Sequence, residues 1–89
     1  MENECRTSEL IRSSKILGVT LRRYRRAQNL TQGALAKRSG LRQGTISQIE
    51  NGLETVKLST IMDLLRVLDL ELTLQPRTKG SHRDIEDMF

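Results

Sequence analysis

Leu30-Thr-Gln-Gly-Ala-Leu-Ala-Lys-Arg-Ser-Gly-Leu-Arg-Gln-Gly-Thr-Ile-Ser-Gln-Ile-Glu-Asn-Gly52 sets the architecture of this chain. Thr31 is a good N-cap, because its hydroxyl accepts a backbone N–H of the first helical turn. Leu30 and Leu35 stand across it at the spacing of a hydrophobic staple. The pattern predicts a helix over about 32–38, closed by Lys37 and Arg38 and ended by Gly40 in a left-handed conformation. A further helix over about 43–50 starts almost at once, turns Ile46 and Ile49 inward and stops at Asn51-Gly52. Two short helices joined around a glycine make a helix-turn-helix.

On the N-terminal side, residues 8–28 read as one helix. Leu10, Leu17, Leu21 and Tyr24 recur at spacings of 7, 4 and 3 on one face. Ser8 with Glu9 is the expected start, Gly18 a mild weakness in the middle, and Arg22, Arg23, Arg25 and Arg26 suit the C-terminal end of the helix dipole. On the C-terminal side, residues 57–68 carry Leu58, Ile61, Leu65 and Leu68 on one stripe, with Thr55 as the cap. The period then changes to two: Leu70, Leu72 and Leu74 alternate with Glu71, Thr73 and Gln75, which predicts a strand over about 70–75 that Pro76 stops. Residues 1–75 are thus read as one domain and 76–89 as a flexible polar tail.

Eighty-nine residues suffice for a single small core, and with Tyr24 and Phe89 as the only aromatics it must be aliphatic. No apolar run approaches the length of a membrane span, and the N-terminus lacks an apolar leader, so the expected location is the cytoplasm. Cys5 and His82 are the only residues of their types, which leaves no intrachain disulfide and no cysteine-rich zinc site, and no nucleophile–base–acid set, metal cluster or phosphate loop is apparent. We expect neither enzymatic activity nor a cofactor. Charge is unevenly spread: residues 1–30 hold seven basic and three acidic side chains, residues 31–50 three and one, and residues 51–75 two and four. A basic first half and an acidic second suit one surface that faces a polyanion and another with a different task.

The quoted segment resembles the Xre-type, phage-repressor-like helix-turn-helix family. The matching residues are Gln32, Ala36, Gly40, Ile46 and Ile49-Glu50-Asn51-Gly52, and Leu17-Gly18, Leu21-Arg22 and Leu58 to Leu68 extend the match over residues 17–70. The resemblance implies a mainly α, lambda-repressor-like bundle of four to five helices, with one short C-terminal strand pairing across a dimer. It further implies that Arg42, Gln43, Thr45, Ser47 and Gln48 read bases in the major groove, where Gln suits adenine and Arg guanine. Thr31, Gln32, Asn51 and Lys57 take the family's phosphate-binding places, and Arg25 with Glu50 a partly buried ion pair that ties the first helix to the third. The chain departs from the pattern at Gly33 and Ala34, where larger or acidic helix formers are usual. It also departs at Arg42, where a Ser or Thr cap is usual, and Gly44 offers no side chain to a base.

A helix in one groove reads few base pairs, so a dimer on a palindromic operator is expected. The lone strand supplies the means, because pairing with its copy satisfies its backbone and buries Leu70, Leu72 and Leu74. Helices followed by an edge strand and a short polar tail resemble the HipB-type antitoxins, repressors that bind a HipA-like kinase toxin. Arg42-Gln43, Thr45 to Ser47 and Asp69 to Leu74 carry that likeness. A stand-alone phage or restriction-modification regulator and a protein-interaction adaptor are the alternatives.

Overall fold

The computed structural model describes residues 8–77, so Cys5, His82 and nearly all of the tail 76–89 lie outside the described residues. Four helices follow one another: α1 (Ser14–Ala27), α2 (Gln32–Ser39), α3 (Gln43–Glu50) and α4 (Leu58–Val67). Helix α3 packs on α1 and α2, and α2 packs on α4. The core between them is the expected aliphatic one: Leu21, Leu30, Leu35, Ile46, Ile49, Ile61, Leu64, Leu65 and Leu68.

Helix α1 begins at Ser14, later than the pattern suggests. Ser13 is extended and its hydroxyl accepts the Ile16 N–H at 3.1 Å, so it caps the helix in place of Ser8. Leu10 keeps the helical phase of Leu17 but meets no wall and stays exposed. Glu9 instead reaches back to Arg23 at 2.9 Å. Gly18 is no weakness: it is where α1 meets the end of α3, and a Cβ there would lie 2.8 Å from the Glu50 carbonyl oxygen.

Helices α1, α3 and α4 end alike. The C″ amides of Leu30, Leu53 and Leu70 donate to the carbonyls of Arg25, Gln48 and Leu65, and Asn29, Gly52 and Asp69 take the left-handed position in each turn. Asn and Asp accept that conformation more readily than other side chains. Gln28 adds a tie, its amide donating to the Leu68 carbonyl at 2.8 Å and joining the ends of α1 and α4.

Helix α4 departs from expectation at its start. Lys57, not Thr55, is the N-cap, and no side chain caps the helix. Leu58 is exposed while Leu64 is buried, because Ile61, Leu64, Leu65 and Leu68 form the stripe that meets α2 and the rest of the core. The strand expected over 70–75 is not formed within one chain: residues 70–77 carry neither helix nor ladder. A strand is defined by its partner, and the single chain offers none. Leu70 packs against the core, whereas Leu72 is half exposed and Leu74 wholly so.

Candidate nucleic-acid interface

Helices α2 and α3 each have eight residues and a few buried anchors. Leu35 holds α2, while Ile46, Ile49 and Glu50 hold α3. Anchoring α3 by one stripe leaves the opposite one free, and Arg42, Gln43, Gly44 and Gln48 are exposed there with Ser47 and Thr45 half-buried on its flanks. All five expected base-reading side chains therefore reach the surface on one short helix and its cap. Arg42 is that cap and contributes no side-chain hydrogen bond to the helix, so its guanidinium is not used in capping.

The two helix starts come together. Where a Cβ would stand at Gly33, Gln43 Oε1 is 3.6 Å away and Thr31 Oγ1 is 3.8 Å away. The base-reading candidate Gln43 thus sits beside Thr31, the N-cap whose hydroxyl accepts the Ala34 N–H at 3.0 Å. The first turn of α2 presents the positive end of its dipole on the same side. Asn51 and Lys57 belong to the other end of α3, whose eight residues span about 12 Å. Both are exposed; Asn51 donates to the Ser47 carbonyl at 2.9 Å, and Lys57 opens α4.

Gln32 is half-buried, its side chain lying between the start of α2 and the end of α3. Its amide nitrogen donates to Glu50 Oε1 at 3.0 Å, because the buried carboxylate has acceptor capacity left beyond Arg25. Arg25 and Glu50 form the expected pair, with Nε at 2.6 Å from Oε2 and Nη2 at 3.1 Å from Oε1. Arg25 Nη1 also donates to the Leu30 carbonyl at 2.7 Å, so the guanidinium links the end of α1, the entry to α2 and the end of α3. Both side chains are almost fully buried, and no buried polar side-chain atom among the described residues lacks a partner.

This network shapes the electrostatics of the surface. Glu50 is the only acid between residues 31 and 50, and it is buried and paired. Lys37, Arg38 and Arg42 are exposed, so the exposed charge that α2 and the start of α3 carry is wholly positive. Such a surface attracts phosphates and offers amide and guanidinium donors to base edges. No group of three or more potential metal ligands is present among the described residues. No helix there is long and apolar enough to cross a membrane.

A second surface lies away from α2 and α3. An open groove is lined by Leu17, Leu21, Ile61, Leu65 and Leu68 together with the segments Ser8 to Arg12 and Leu70 to Arg77. Exposed Leu10, Ile11, Leu58, Leu72 and Leu74 rim it. The expected dimerisation leucines are therefore separate from the basic face. Reasoning from sequence missed the Gln32–Glu50 bond, the Gln28–Leu68 tie and the close approach at Gly18. Of these only Gly18 carried a signal, through Leu17-Gly18 in the family pattern.

Comparison with known proteins agrees with this geometry. The chain matches the helix-turn-helix family HTH_3 over residues 21–75. It is similar to the antitoxin HipB of Escherichia coli, 36% identical over 70 residues that cover 79% of this chain and 80% of that one. It is also 47% identical over 57 residues to the uncharacterized HTH-type transcriptional regulator y4dL of Sinorhizobium fredii, where the match covers 64% of this chain but only 29% of that protein. Among solved structures, a chain of the HipA-HipB-O2-O3 complex superposes with a TM-score of 0.73 at 35% identity, covering 81% of this chain and all of that one.

Proposed function

The chain belongs to the helix-turn-helix family HTH_3, and from that premise we propose that it is a homodimeric transcriptional repressor, the antitoxin and autoregulator of a HipBA-type pair. The observation that carries the DNA-binding half is the basic face of α2 and α3, from which the one acid has been withdrawn into a buried ion pair. Arg42, Gln43, Thr45, Ser47 and Gln48 read base edges in the major groove. Thr31, Asn51 and Lys57 hold phosphates. Gln32 spends one amide N–H on Glu50 and keeps the second for a phosphate at the start of α2.

The dimer forms through the apolar groove. Pairing of residues 70–75 with the same residues of a second copy satisfies both edges and covers Leu72 and Leu74. Covering Leu72 and Leu74 of both copies gains an amount comparable with the association cost of about 4–15 kcal/mol, so the shared strand ladder and the rest of the groove contribute as well. Two copies then present α3 twice, at the roughly 34–36 Å spacing that successive major grooves on one face of the duplex require. A HipA-like kinase toxin is the expected protein partner; similarity to HipB across most of both chains supports this reading.

A reporter driven by the DNA upstream of the chain's own gene tests the proposal. The chain alone is expected to repress it, and co-expression with a kinase-like neighbour's product to deepen repression and yield a co-purifying complex. Absence of repression, alone or with the neighbour, would overturn it.

A further inference from the structure

We propose that Gly33 is a specificity-determining position: the space left by its missing side chain seats Gln43 and sets how that amide meets a base edge. The inference rests on the base-reading role given to Gln43 above.

Three observations carry it. Glycine inside a helix is less favourable than alanine, yet Gly33 is the second residue of α2. Its backbone does not demand glycine, since positive φ among the glycines is confined to Gly40 and Gly52. Packing does not demand it either: the nearest atoms to an added Cβ, at 3.6 and 3.8 Å, are at ordinary contact distance, in contrast to Gly18. Fold stability therefore gives no reason for glycine here.

The first atom that a side chain at position 33 meets is Oε1 of Gln43. Little else holds that amide. Gln32, one residue away from Gly33, has turned its own amide to Glu50, and Gly44 on the other side opens onto free space. The gap over Gly33 is then the seat from which Gln43 works. A side chain longer than alanine fills the seat and turns the Gln43 amide away from the position that pairs with a base.

A different reading of the same glycine is that it lets a phosphate approach the start of α2. The two differ in their effect on sequence preference. A phosphate role changes affinity for all sequences alike, whereas a role through Gln43 changes preference at one base pair.

The experiment selects bound duplexes from a randomised DNA pool, using the full chain with Gly33→Ala, Gly33→Leu and Gly33→Gln, each with and without Gln43→Ala. Thermal melts confirm that each variant folds, and Gly33→Gln serves if leucine disturbs α2. In the native chain Gln43→Ala is expected to lower preference at one base pair about tenfold. Gly33→Leu and Gly33→Gln lower the same preference by a similar factor, and adding Gln43→Ala then changes it less than about twofold. Gly33→Ala keeps the preference and still responds to Gln43→Ala.

Native preference retained by Gly33→Leu and Gly33→Gln, or uniform weakening on every sequence, would overturn the proposal while leaving Gln43 as a base reader. Unchanged preference on Gln43→Ala in the native chain would remove the base-reading role itself, and this inference with it.

Discussion

Gly18 of α1 lies flat against the Glu50 carbonyl at the end of α3, so close that a Cβ on residue 18 would stand 2.8 Å from that oxygen. The Ile49 carbonyl is nearer still. Both obstructing atoms belong to the backbone, which cannot swing aside as a side chain does. Helix α3 is thus seated on α1 by direct backbone approach, and the Arg25–Glu50 pair secures the same junction.

Gly18→Ala is therefore expected to destabilise the fold by about 1–3 kcal/mol or more, although alanine is the better helix former. Denaturant unfolding measures this as a lower midpoint. An unchanged or raised midpoint would show that α1 and α3 are not in this contact.

Arg25→Met leaves Glu50 buried with only Gln32 as a donor, and removal of one partner from a buried pair costs about 3–5 kcal/mol. Arg23→Met removes an exposed pair with Glu9 and an exposed stacking on the Tyr24 ring at 5.6 Å, each worth at most about 1 kcal/mol. Equal losses for the two variants in urea melts would contradict the burial assigned to Arg25.

Leu72→Asp with Leu74→Asp is expected to leave the helical signal intact, since neither side chain is buried within one chain. Sedimentation equilibrium is expected to show dimers for the native chain and monomers for the double variant. Persistence of the dimer would place the interface elsewhere.

Lys57→Ala is expected to weaken binding nearly uniformly across DNA sequences and to reduce the salt slope by about one. Titrations of one duplex at several salt concentrations give that slope directly. A change in base preference instead would reassign Lys57 from phosphate to base.

Much of the helical framework was legible because its signals are local. Thr31, Gly40, Asn51 and Gly52 mark helix ends by their own chemistry, and α2 and α3 lie where those residues place them. The start of α1 was not legible, because the periodicity of Leu10 says nothing about whether a wall exists for it to meet. In α4 the same difficulty exchanged Leu58 for Leu64. Gln32–Glu50 and Gly18–Glu50 join residues far apart in sequence and depend on how helices cross, which periodicity does not encode. The alternation of Leu70, Leu72 and Leu74 is plain in sequence, but a ladder needs a second strand, and one chain cannot supply it.

Footprinting on the DNA upstream of the chain's own gene, with native protein beside Gln43→Ala at two salt concentrations, bears on α3 as the reading helix. Protection of a palindrome by the native protein, lost or relaxed at defined base pairs in Gln43→Ala at both salts, is the expected result. No protected site, or an identical footprint for the variant, would contradict base reading by α3.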